Sequence, residues 1–291
     1  VIRNYGDMYQ RAVKEADILT KIREGDPENK NCIVRFISKL EHKTHLCLIF
    51  ESMGQNLREY TRRMQFQTDL FTIRKFSMNL LLALKQLKEM DLIHADIKPD
   101  NILVSHDKAQ IKLADLGTAF YEYEIEETDL LGSRWYRSPE VILGLQYDAS
   151  IDMWGLGCTI CELFSCRPLF RGRDNHEMLM EFCKLRGGIP PKLLKQGKYS
   201  SQHFDDEGRI AEMSYDEKTG KASLVRYIRI PRRTGELARV LLESRSLTSS
   251  NIPKMLESFI DFVTRMLEID PSRRIKPAEA LRHPFLVNTW Q

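Results

Sequence analysis

Apolar residues recur at Ile73, Phe76, Leu80, Leu81, Leu84 and Leu87, a spacing that puts them on one face of a long helix. Val13, Ile18, Leu19 and Ile22 do the same within Tyr9 to Ile22, and Gly25-Asp26-Pro27 then breaks the pattern. Two β-prone runs follow, Ile33 to Leu40 and His45 to Phe50. Further on, Leu92-Ile93 and Ile102-Leu103-Val104 are short apolar runs that flank a polar stretch, and Gln110 to Ala114 reads as the partner strand after the turn-prone Ser105 to Lys108. Most later segments carry helical spacing. The pattern therefore divides the chain near residues 50–57 into a smaller, β-rich part and a larger, helical one.

Composition changes this picture little. At 291 residues, 42% hydrophobic and 29% charged, the chain is long enough for a sizeable core and ordinary for a globular protein. A net charge of +3 is too small to argue for nucleic acid or membrane. No apolar run reaches the roughly 18 residues of a membrane span, and no signal-peptide pattern opens the sequence. Cysteines stand at 32, 47, 158, 161, 166 and 183. Cys158 and Cys161 fall inside a helical pattern without a second pair, so a buried structural role in a reducing compartment is expected.

The polar stretch carries the chemistry. Residues 94–101 read His-Ala-Asp-Ile-Lys-Pro-Asp-Asn, and Asp115-Leu116-Gly117 follows the next strand. Phosphoryl transfer needs a carboxylate for the proton of the attacking hydroxyl, a cation for the γ-phosphate, and oxygen ligands for magnesium. Asp96, Lys98, Asn101 and Asp115 provide these in order. The strand after the turn folds Asp115 back beside Asn101, so the two magnesium ligands converge.

This string resembles the catalytic loop of eukaryotic protein kinases, with Asp115-Leu116-Gly117 where the family has Asp-Phe-Gly. Ser138-Pro139-Glu140, Asp152 with Trp154 and Gly157, and Asp270-Pro271 with Arg274 are similar to later family motifs, so the resemblance covers nearly the whole chain. It implies an α+β, bilobal fold: a partial small lobe at 1–50, a hinge at 51–57 and a helical lobe at 58–291. It also implies an ATP and Mg2+ site in which Glu15 pairs with a strand lysine, Phe50 guards the adenine pocket, and the backbone of Glu51 and Met53 bonds the adenine edge. His94, Asp152, Glu140 and Arg274 are implied as structural supports. Residues 1–4 resemble the end of the strand that carries the lysine, which with the Gly-rich loop is expected upstream. Lys98 resembles the residue of Ser/Thr kinases, and β-branched Thr118 leans toward Thr acceptors.

Gly132 to Glu140 resembles the CMGC group, and residues 187–253 its insert. Leu185 to Tyr199, leading to Gln202-His203-Phe204-Asp205, is most similar to the pre-mRNA-processing kinases of that group, which implies nuclear localisation and splicing-factor substrates. Two departures bear on regulation. Ala95 replaces the arginine that neutralises an activation-segment phosphate, and Leu130 stands where related kinases carry a tyrosine. Thr128 is then the remaining phosphosite, with Arg134 and Arg137 as receivers of an anion. The expectation is a segment active without phosphorylation, ordered by packing of Leu130, Leu131 and Trp135. The alternative is an inactive scaffold docking nuclear proteins through the insert. The basic cluster Arg226, Arg229, Arg232 and Arg233 is read as solvated surface or a site for acidic proteins rather than nucleic acid.

Overall fold

The computed structural model describes residues 7–43, 45–65, 68–215, 222–231, 235–247 and 253–290. Residues 1–4 and Arg232 and Arg233, on which two of the sequence readings rest, lie outside them.

Helix α1 (Asp7–Gly25) turns Ala12, Ala16, Ile18, Leu19 and Ile22 inward; Val13 is half-buried rather than on the core face. The hairpin β1 (Phe36–His42) and β2 (His45–Phe50) follows, paired from Phe36↔Phe50 to His42↔His45. The run Ile33 to Leu40 is thus not one strand. Its first residues leave the hairpin and dock on the larger lobe, where Ile33 bridges Leu113 and Val34 N–H donates to Leu113 O at 2.8 Å. Only Phe36 of β1 is buried, so the later residues are strand by backbone pairing rather than by burial.

The connection 51–56 is pinned to the larger lobe by Gly54 N–H to Val104 O, 2.8 Å, and Val104 N–H to Gln55 O, 2.9 Å. Asn56 and Asp69 cap α2 (Leu57–Met64) and α3 (Leu70–Glu89) with side-chain oxygens that accept from Glu59 N–H and Thr72 N–H. All six apolar positions that predict α3 are buried. Two short antiparallel pairs build the site: β3 (Leu92–Ile93) and β4 (Ile102–Val104) flank the polar stretch, β5 (Ile111–Leu113) pairs with β4, and β6 (Phe120–Tyr121) with β3.

Helices α4 (Pro139–Leu143) and α5 (Ser150–Ser165) come next. Every residue of α5 from Ile151 to Ser165 is buried, which makes it the axis of the large lobe. A side chain at Gly155 would press on Ile97 O at 3.0 Å, so this glycine lets the polar loop lie directly on the helix. Cys158 and Cys161 are fully buried on α5, and burial pushes both thiols well up.

Then come α6 (Asn175–Arg186), α7 (Pro191–Gln196), an antiparallel hairpin β7 (Ile210–Tyr215) and β8 (Ala222–Ile228), and α8 (Glu236–Ser244), α9 (Lys254–Met266), α10 (Pro277–Ala280) and α11 (Pro284–Val287). The β7–β8 hairpin lies where helices were expected to predominate. Its outer strand exposes Leu224, Val225 and Tyr227, so no buried face marks it in the sequence. Arg226 and Arg229 are exposed there, facing Glu212 and Glu207 at 2.6 and 3.8 Å. No helix among the described residues is long and apolar enough to cross a membrane.

Candidate active site

The loop between β3 and β4 is fastened from beneath. Asp152, buried on α5, accepts His94 N–H at 2.8 Å and Ala95 N–H at 2.9 Å. Burial raises its carboxyl above the ordinary range, opposed by these two donors. His94 Nε2 donates to Ala114 O at 3.0 Å while Nδ1 accepts Asp96 N–H at 3.3 Å, which fixes the tautomer. Ala95 is held at φ +67° and Asp115 at φ +61°, a left-handed region costly to residues with a side chain and therefore imposed by these anchors.

Four expected residues are brought together on this frame. Asp96 Oδ2 accepts from Lys98 Nζ at 2.6 Å and from Asn101 Nδ2 at 3.1 Å, and Oδ1 accepts Ser133 N–H at 2.9 Å. Burial alone would raise the Asp96 carboxyl, but donors from Lys98 and Ser133 outweigh it and hold it below its usual value. Lys98 also donates to Ser133 Oγ at 2.8 Å. Both contacts of Asn101 Nδ2 go to Asp96, to O and Oδ2, which leaves its amide oxygen as an acceptor. Ala114 N–H bonds Asn101 O at 2.9 Å, which sets Asp115 beside it. Asn101 Oδ1 and the exposed Asp115 carboxylate are therefore two oxygens suited to a hard cation.

A cavity of about 350 Å³ adjoins, walled by Leu19, Val34, Leu48, Phe50 and Leu103, with Glu15 and Asp115 at one end. It is apolar with acidic groups at one end, as a planar base and its cation-bound phosphates require. Glu15 is pushed up to about 7, first by burial and then by the Asp115 charge, so a cation between the two would relieve both. Phe50 and Glu51 line the cavity; Met53 lies beyond it. Glu51 N–H is already given to Arg35 O at 2.9 Å, leaving its carbonyl for a ligand. The Glu51 carboxylate is turned away, accepting from Arg35 N–H and buried Lys112 Nζ, both at 2.6 Å.

The activation segment corrects two expectations. Leu130 is 69% exposed and Trp135 39%, so neither packs the segment down; of the three apolar residues only Leu131 joins a buried cluster, with Ile93, Val141 and Tyr147. What holds the segment is Arg137. Its guanidinium, itself buried, donates to Leu130 O, Leu131 O and Gly132 O at 3.2, 2.9 and 2.9 Å, and to Asn175 Oδ1 at 2.7 Å. It is thus consumed by the backbone and is no receiver for an anion, and Arg134 Nη1 donates to Arg173 O at 2.5 Å. Gly132, at φ +66°, lies so close to Ala95 O that a side chain would clash at 2.3 Å. Thr128 is half-buried, its hydroxyl accepting Leu130 N–H at 3.1 Å. At the segment's end Glu140 and Arg274, both wholly buried, pair at 2.5 and 2.9 Å.

Ser133, Lys112 and Asn175 were not singled out by the sequence; only Ser133, next to the motif arginine, carried any signal.

A two-lobed fold with a carboxylate, a lysine and two oxygens suited to a cation beside an apolar cleft is the arrangement of the protein kinase class, and residues 3–286 match the protein kinase domain family. The chain belongs to the protein kinase family. It is 33% identical over 289 residues to the serine/threonine-protein kinase prp4 of Schizosaccharomyces pombe, covering 99% of this chain and 60% of that protein. It is 36% identical over 295 residues to the serine/threonine-protein kinase prpf4B of Dictyostelium discoideum, covering 98% of this chain and 36% of that protein. A dual specificity protein kinase YAK1 homolog of Arabidopsis thaliana is 34% identical over 314 residues, 98% of this chain and 33% of that protein. The CMGC resemblance is borne out, and the chain spans only part of each relative's length.

Proposed function

We propose that the chain is a catalytic domain that transfers the γ-phosphoryl of ATP to serine or threonine hydroxyls of proteins. The observation that carries this reading is the Asp96, Lys98, Asn101 and Ser133 cluster, with Asp115 set beside Asn101 by the β4–β5 pair. Asp96, kept ionised, orients the acceptor hydroxyl and takes its proton. Lys98, two residues on, balances charge on the transferred group. Asn101 and Asp115 hold magnesium, which neutralises the phosphate oxygens when bound. Glu51 O presents an acceptor to the base, with Phe50 on the same wall. Arg137 takes up the carbonyls of Leu130, Leu131 and Gly132, an arrangement that tolerates proline after the acceptor. Similarity to the prp4 and prpf4B kinases supports nuclear splicing factors as substrates. The intact cluster weighs against an inactive scaffold.

Incorporation of labelled phosphate into a spliceosomal protein mixture tests the reading, with Asp115→Asn as control. Transfer abolished in the variant is expected; equal, negligible incorporation by both, with no magnesium-ATP binding in calorimetry, overturns it.

A further inference from the structure

Among the described residues, Arg58 is the one guanidinium beside the catalytic loop bonded to two carboxylates from other elements. It sits on α2 with 18% of its side chain exposed. Nε and Nη2 grip Asp100 bidentately, both at 2.8 Å; Nη1 donates to Glu162 Oε1 and Nη2 to Tyr136 Oη, both at 2.7 Å. Tyr136 in turn donates to Glu162 Oε2 at 2.5 Å. Four of its five N–H donors are thus satisfied, by groups from the catalytic loop, from α5 and from the activation segment.

The bonds of Arg58 go to Asp100, Glu162 and Tyr136, and none to Asp96, Lys98, Asn101 or Asp115. Asp100 is one residue before Asn101 and two after Lys98, and Tyr136 is three after Ser133, which bonds Asp96. A peptide whose hydroxyl lies at Asp96 and which runs over Asp100 comes within reach of the cluster within about three residues, since each extended residue spans roughly 3.5 Å. Asp100 is the open side, its side chain 41% exposed, while Glu162 is buried. Two carboxylates and a phenol in this arrangement form a guanidinium site, open to solvent on its Asp100 side and already filled by the chain.

We infer that Arg58 is a specificity-determining residue: it occupies from within a site that would otherwise take an arginine of the substrate, so peptides gain nothing from a basic residue there, and truncating Arg58 opens the site. The inference rests on the kinase reading only for where substrate lies, and its test reads binding as well as turnover. Fluorescein-labelled Ser peptides with Arg in place of Ala at each of three positions on either side of the acceptor are titrated, without nucleotide, against wild type and Arg58→Ala, and kcat/KM is measured on the same set.

Wild type should discriminate less than two-fold at every position, and Arg58→Ala should bind one Arg peptide at least ten-fold more tightly, the gain appearing in KM. A folded Arg58→Ala, by thermal melt, with all ratios near one overturns the inference. So does wild type favouring Arg more than ten-fold at any of these positions, a result that decides the matter even if the variant does not fold. Failure of the kinase reading would remove turnover by wild type and leave the binding ratios intact.

Discussion

The catalytic loop and the activation segment solve the same problem with opposite charges. Both are irregular backbone that must be held without a ladder of strand or helix bonds. In the loop, the buried Asp152 carboxylate collects the N–H groups of His94 and Ala95. In the segment, the buried Arg137 guanidinium collects the carbonyls of Leu130, Leu131 and Gly132. The difference lies in what each anchor stands on. Asp152 belongs to α5, buried along its length, whereas Arg137 belongs to the segment itself and reaches outward to Asn175 at the start of α6. Next to Asn175, His176 donates from Nε2 to Ala211 O at 2.8 Å and from Nδ1 meets His203 Nδ1 at 3.2 Å. The loop is therefore fixed by the core, and the segment by a chain of polar contacts that ends in the insert.

Breaking the loop's anchor should have the largest effect. Asp152→Ala leaves two buried N–H groups unpaired and releases the left-handed Ala95, so a loss of about 3 kcal/mol in urea unfolding is expected, with turnover down at least about 100-fold. Arg137→Ala frees carbonyls that can reach water, so the stability loss should be smaller, about 2 kcal/mol. Limited proteolysis should then cut within 125–137 while Asp152-bonded amides keep their hydrogen-exchange protection. Equal exposure of both regions would abolish the distinction drawn here.

The insert's tie sharpens the comparison through pH. His203 is lowered to about 4, by burial first and then by the neighbouring His176, with Asp174 and Asp129 opposing the shift. Its neutral form belongs to the folded state, so the contribution is fully present above the unfolded value of about 6.5 and is lost as pH falls toward 4. Wild type should lose about 1 kcal/mol between pH 7.5 and 5.5 from this group, and His203→Gln should flatten that slope in denaturant titrations. An unchanged slope would remove the insert from the segment's support.

What was legible beforehand follows the same division. The loop could be read because its anchors and reacting groups are side chains at fixed spacing between two short strands, from His94 to Asn101 and on to Asp115 and Asp152. The arrangement at Arg137 could not, because its partners are backbone carbonyls, which leave no mark in a sequence. Leu130 was expected to pack because it is apolar, yet an extended segment held by its carbonyls turns that side chain to solvent. Hairpin β7–β8 went unread for a related reason: Leu224, Val225 and Tyr227 cover no core. Arg58 was not singled out by the sequence, because its partners lie 42, 78 and 104 residues away.

The most direct test of the account is single-turnover phosphoryl transfer by Asp96→Asn against wild type, at matched magnesium-ATP and with melting temperatures compared. A fall of about 10²- to 10⁴-fold with the fold intact is the predicted result; transfer within three-fold of wild type would contradict the role of Asp96 and the reading built on it.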